Sequence, residues 1–153
     1  MGNLALVTLF LCVGMAHGFG KFSLYMEEKC GETVHVDVFG KQAGRLRPTR
    51  TSKYKPNMSC TVTIRTADSH RFVVVFRRLD VEYEPFCDDD YLQIHDGNTT
   101  SAPTIPGLPR KMCGDERPKG DYVTTGSSMT VFFKSDSWYN DNGFDFIFTI
   151  FHT

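Results

Sequence analysis

The chain has 153 residues, with 17 Lys and Arg against 18 Asp and Glu, for a formal net charge of −1. That near-neutrality argues against a nucleic-acid binder, whose phosphate contacts require a basic excess. Apolar side chains make up 41% and include 13 Phe, enough bulk for a genuine core in one domain.

Leu4 to Met15 is nearly all apolar and runs into Ala16-His17-Gly18. About a dozen apolar residues ending in small ones is the pattern of a secretory signal, and is too short for a membrane span of ~20 residues. Residues 1–18 are therefore predicted to be a signal peptide, residues 19–29 a short N-terminal lead-in, and residues 30–153 the folded domain. The chain is expected to be secreted, without a membrane anchor. Cys12 leaves with the signal, and Cys30, Cys60, Cys87 and Cys113 remain. An even set in a secreted chain points to disulfides, and four cysteines allow three pairings among which sequence does not choose. The C-x-x-C spacing of a zinc site is absent.

Strand signals follow one another. Val34, Val36 and Val38 alternate with His35 and Asp37. Lys41 to Lys55 then collects Lys41, Arg45, Arg47, Arg50, Lys53 and Lys55 without an acid, a candidate surface for sulfated glycans or a solvated loop. Val62 and Ile64 alternate with Thr61, Thr63 and Arg65, and Phe72-Val73-Val74-Val75-Phe76 is continuous, as in a strand covered on both faces. Leu92 and Ile94 alternate with Tyr91, Gln93 and His95. Asp96-Gly97 and Asn142-Gly143 are turn dipeptides, and Thr99 to Pro109 reads as a proline-rich loop. Met129, Val131 and Phe133 share one strand face; Phe144, Phe146, Phe148 and Ile150 share another. No helix-period segment appears after the signal. Short strands with frequent turns predict an all-β antiparallel sandwich.

Asp80 to Asp96 holds Asp80, Glu82, Glu84, Asp88, Asp89, Asp90 and Asp96 without a Lys or Arg. Crowded carboxylates repel one another, and a chain that gathers them at strand ends is expected to neutralise them with a cation. The EF-hand pattern is missing. So are H-E-x-x-H and G-x-S-x-G, and His35, His70, His95 and His152 are scattered, so the chain is read as a binding protein and not an enzyme. Asn57-Met58-Ser59 and Asn98-Thr99-Thr100 are N-glycosylation sequons.

Five pieces in order carry a family resemblance. Cys30 and Cys60 come first, then Phe76-Arg-Arg-Leu-Asp-Val-Glu82 and Cys87-Asp-Asp-Asp90-Tyr-Leu-Gln-Ile-His-Asp-Gly97. Cys113-Gly114 follows, then Phe133-Lys-Ser-Asp136 with Gly143-Phe144. The pattern resembles a CUB domain over roughly Cys30 to Phe151. The resemblance implies a jelly-roll-like β-sandwich with sequential disulfides, Cys30–Cys60 and Cys87–Cys113, serving as an extracellular binding module. It also implies a calcium ion held by Glu82, Asp90 and Asp136, and capture of a Lys or Arg from an extracellular protein by the same acids. Three carboxylates around a +2 ion leave a residual −1 for that purpose, and extracellular sites bind calcium at about 10⁻⁴–10⁻³ M. Trp138 and Tyr139, just after Asp136, are candidate partner anchors. The alternative reading is a spermadhesin-like module binding glycans through Arg45, Arg47 and Arg50. A secreted effector, such as a venom component, is a further possibility within the same fold.

Overall fold

The computed structural model describes residues 21–36 and 43–153. The signal peptide expected over residues 1–18, with Cys12, and also Phe19, Val38 and Lys41, lie outside the described residues. The described elements are β1 (Lys21–Tyr25), α1 (Met26–Lys29), β2 (Thr33–His35), β3 (Ala43–Arg47) and β4 (Ser59–Arg65), followed by β5 (His70–Asp80), β6 (Tyr91–His95), β7 (Asp121–Val123), β8 (Ser128–Lys134) and β9 (Gly143–His152).

Residues that alternate in sequence segregate to the two faces of each strand, and the apolar faces meet. One sheet runs β1-β3-β9-β5-β7 and the other β2-β4-β8-β6. Between them lie Leu46, Phe72, Val74, Phe76, Phe144, Phe146 and Phe148 from the first sheet. Val62, Ile64, Leu92, Ile94, Met129, Val131 and Phe133 face them from the second, and all are essentially inaccessible to solvent. Aromatic rings interlock across this core: Phe133 meets Phe144 at 5.3 Å between centroids, and Phe72 meets Phe148 at 5.7 Å, both edge-on.

The sandwich is all-β, as expected, but its sheets are mixed. The central pairs are antiparallel, whereas the edge pairs β1·β3 and β2·β4 are parallel. The alternation of apolar residues reports which face is buried and is blind to the direction of the neighbouring strand, so sequence pattern does not reveal these pairs. The lead-in carries β1 and α1, and Met26 is fully buried against the core. A second difference lies in β5. Phe72, Val74 and Phe76 are buried, but Val75 is 38% exposed, so the strand is covered on one face only. Among the described residues nothing layers onto the outer side of that sheet, and the β-branched run there reflects strand propensity and not double burial.

A bulge between Phe76 and Arg78 then changes the parity of β5. Inward positions switch from even to odd numbers, Leu79 and Val81 stay in the core, and Asp80 and Glu82 are turned out of it. Two disulfides, Cys30–Cys60 and Cys87–Cys113, close loops of 30 and 26 residues. Each contributes roughly 2–4 kcal/mol by restricting the unfolded chain.

Candidate metal centre

Three strand ends converge at one end of the sandwich. Glu82 follows β5, Asp90 precedes β6 and Asp136 follows β8. One carboxylate oxygen from each lies within 4.8 Å of the others. Like charges at that separation repel, and the cost depends on how dry the site is.

The site is buried at its centre. Asp90 is fully buried and Glu82 and Asp136 are half-buried. Asp90 is held from two sides: the Tyr54 hydroxyl donates to its Oδ2 at 2.5 Å, and the Asp136 amide donates to its Oδ1 at 2.7 Å. Tyr54 is itself buried and accepts the Glu82 amide at 3.2 Å. One phenol thus ties together two of the three acidic segments. Asp136 bonds inward and outward. Its carbonyl accepts the Asn57 amide at 2.7 Å, and its Oδ1 accepts the Trp138 amide at 2.7 Å.

Glu82 is the unbalanced member. Its Oε2 is buried and has no hydrogen-bond partner among the described residues. Burial first, then the charges of Asp90, Asp136, Asp89 and Asp141, raise its pKa above the ordinary 4.5. Burial also raises Asp90 above 3.8, opposed by the Tyr54 and Asp136 hydrogen bonds and reinforced by the Asp136 and Asp89 charges. Burial and the bond to Asp90 push the Tyr54 hydroxyl upward as well, so it remains a donor. An orphaned, buried carboxylate oxygen beside two further carboxylates is the chemistry of a cation site, because a cation removes both the repulsion and the missing partner. Hard, oxygen-only ligands of this kind suit a divalent ion such as calcium or magnesium, and not a thiolate-seeking metal.

The other acids of the sequence cluster do different work. Asp88 pairs with Lys111 at the surface, and the Glu84 carboxylate accepts the amides of Phe86 and Asp88, shaping the turn before Cys87. Trp138 and Tyr139 stand beside the trio at 69% and 79% exposure, joined by Tyr83 at 73% next to Glu82. Tyr54 sits in the irregular β3–β4 segment between two lysines, where no periodicity in the sequence marks it. Tyr83 likewise lies outside any strand.

Three cations of the basic segment, Arg45, Arg50 and Lys55, are paired with acids. Arg45 bonds in two-pronged fashion to the buried Asp145, its Nε 2.7 Å from Oδ1. Arg50 pairs with Glu28 at 2.5 Å and lies over the Tyr25 ring, and Lys55 pairs with Glu27 at 2.5 Å. Arg47 reaches the Thr51 carbonyl, at 3.5 Å. The acids that neutralise this segment come from α1 and β9, far away in sequence.

A family model described as CUB domain matches residues 30–148. The chain belongs to the CUB domain family. This CUB chain is 37% identical over 110 residues to the cubilin homolog of Drosophila melanogaster, a match covering 71% of the chain and 3% of that protein. The chain spans no more than 14% of the length of the curated relatives it matches. Two solved structures share the fold. The full extracellular region of zebrafish Gpr126/Adgrg6 superimposes with a TM-score of 0.65 at 21% identity, covering 82% of this chain and 15% of that one. The MASP-1 CUB2 domain, in a crystal structure with bound Ca2+, gives 0.62 at 19% identity, covering 78% and 98%. The CUB family and the two disulfides place the domain outside the cell, in the oxidising compartment where such bridges persist.

Proposed function

We propose that this CUB domain is an extracellular recognition module that holds calcium at Glu82, Asp90 and Asp136 and captures a basic side chain of a partner protein there. The observation that carries the reading is the buried Oε2 of Glu82, unpartnered among the described residues, within a carboxylate trio spanning 4.8 Å. Bound calcium would supply a +2 charge that relieves the repulsion and ties the three strand ends together. The chain's own groups do the rest. Hydrogen bonds from Tyr54 and the Asp136 amide favour the ionised form of the Asp90 carboxylate against its burial, and aim it. Three formal negative charges exceed the ion's two, and the surplus faces an end of the sandwich where Trp138, Tyr139 and Tyr83 are exposed. A lysine or arginine with apolar neighbours complements that surface, and an exposed indole and phenols supply packing area at little conformational cost. The site resides at strand ends and its acids hold charge in place; this reading assigns it no turnover. That calcium occupies a MASP-1 CUB2 domain of the same fold supports the choice of ion.

Melting with and without millimolar calcium tests the reading. Calcium is expected to raise the melting temperature of the wild-type protein and to leave Asp136→Ala unmoved. A wild-type protein indifferent to calcium, or an Asp136→Ala variant that responds equally, rejects the site.

A further inference from the structure

The two sequons occupy opposite ends of the sandwich. Asn98 lies just beyond the C-terminal end of β6, while the acidic trio lies at the N-terminal end of that strand, beside Asp90. Five extended residues separate the ends by about 17 Å. Asn57, by contrast, is 79 positions from Asp136 in sequence and touches it: the Asn57 amide donates to the Asp136 carbonyl at 2.7 Å. Trp138 bonds to the same residue through Asp136 Oδ1. Asn57 and Trp138 are thus both one hydrogen bond from a single trio member.

Asn57 is well placed to carry a large substituent. It is exposed at a turn between Tyr54 and β4, and its φ of 56° is a left-handed conformation that Asn tolerates better than most residues. Its backbone is pinned by the bond to Asp136, so a group attached to its side chain keeps its root beside the site. Ser59, the hydroxyl residue of the sequon, is also exposed.

We propose that Asn57 carries an N-glycan that stands beside the acidic trio and screens it by size, admitting ions and single side chains while hindering bulky proteins. The donor is a lipid-pyrophosphate-linked oligosaccharide met during secretion. The Asn57 carboxamide nitrogen bonds to the sugar's anomeric carbon and loses a proton, the glycosyl–phosphate bond breaks, and the lipid pyrophosphate departs. The product is bulky, hydrated and confined to the surface. The consequence for partner choice rests on the proposed function of the trio. The glycan at Asn57 makes that site selective for a partner that offers its basic residue on a slender, protruding segment. A glycan at Asn98 has no such effect.

The whole chain, produced in a secretory eukaryotic host, provides the test. Glycopeptide mass spectrometry reads occupancy at Asn57. The variant Ser59→Ala removes the sequon while leaving the Asn57 side chain and its backbone bond in place, and Asn98→Gln is the control at the far end. Chymotrypsin is a protein-sized probe of the exposed Trp138-Tyr139 pair, and acrylamide is a small probe of Trp138, the chain's single tryptophan. Cleavage after Trp138 and Tyr139 is expected to be several-fold slower in the wild-type and Asn98→Gln proteins than in Ser59→Ala, with acrylamide quenching nearly the same in all three. An unmodified Asn57, or equal cleavage in wild type and Ser59→Ala, overturns the proposal. Calcium-dependent melting of the same samples separates the two ideas. A melting temperature insensitive to calcium together with slower wild-type cleavage sinks the cation site and keeps the screen, and the reverse pattern does the opposite.

Discussion

The Tyr54 hydroxyl and the Asp90 carboxylate meet at 2.5 Å in the buried floor of the acidic site. Tyr54 precedes Asp90 by 36 positions, comes from an irregular segment, and also accepts the Glu82 amide. Its ring packs edge-on against Phe133 with centroids 5.1 Å apart. The hydrophobic core therefore positions a phenol, and the phenol positions two acids. This couples the folding of the sandwich to the shape of its acidic end.

Tyr54→Phe keeps the ring and removes both polar contacts. The charged Asp90 loses the hydrogen bond donated by Tyr54, worth about 1.5–3 kcal/mol, and its carboxyl pKa rises further. The variant should melt lower and bind calcium more weakly in a calorimetric titration, while the calcium-induced rise in melting temperature persists in reduced form. An unchanged calcium affinity would mean that Tyr54 supports the fold without positioning the acids.

Stability in the absence of calcium should depend on pH in an unusual direction. Glu82 and Asp90 have folded-state pKa values raised above 4.5 and 3.8. Between the ordinary and raised values the folded protein binds protons that the unfolded chain releases, so stability falls as pH rises through that window. The penalty is complete above the raised values and absent below the ordinary ones. In chelator, acidification from neutrality towards 4.5 should stabilise wild type relative to Glu82→Gln. With calcium bound the carboxylates are held ionised, and the same acidification should destabilise the protein by expelling the ion. Melting curves in chelator and in calcium across this range check both signs.

Removing Arg45 should cost more than its surface position suggests. Its partner Asp145 is only 4% exposed, and Arg45→Ala leaves that carboxylate buried without its cation. Loss of one member of a buried pair costs about 3–5 kcal/mol, and the Arg45 side chain, 39% exposed, puts this case at or below the low end. Denaturant unfolding measures the loss. Pairing of Arg45, Arg50 and Lys55 with acids lowers the net positive charge of the segment, so wild type should pass through a heparin column at physiological salt. Strong retention, lost on neutralising Arg45, Arg47 and Arg50, would restore the glycan reading.

Gly44 and Phe148 offer a test of the core. Adding a β-carbon at Gly44 would bring it to 2.1 Å from the Phe148 ring. Gly44→Ala must displace a ring that is fully buried and packed edge-on against Phe22 and Phe72. Overpacking of this kind costs about 1–3 kcal/mol. A lower denaturation midpoint with an unchanged calcium response is expected, because the site lies elsewhere in the sandwich.

Much of the molecule could be read along the chain. Strand faces are a period-two property, so Val62 with Ile64, and Phe144 with Phe146 and Phe148, announced their burial locally. The crowding of acids from Asp80 to Asp96 could be read too, but only the CUB resemblance singled out Glu82, Asp90 and, in Phe133-Lys-Ser-Asp136, the third acid. What tertiary structure alone decided was adjacency. The strand alternation that exposes a buried face says nothing about which strand lies alongside, so the parallel edge pairs, the bulge at Phe76 and the neutralisation of Arg45 by Asp145 stayed hidden. Tyr54 beneath Asp90 and Asn57 beside Asp136 belong to the same class. Each joins residues far apart in the chain, through hydrogen bonds whose partners leave no periodic trace. Side-chain chemistry and burial pattern are local and legible; the contacts that turn three acids into one site exist only once the strands have been brought together.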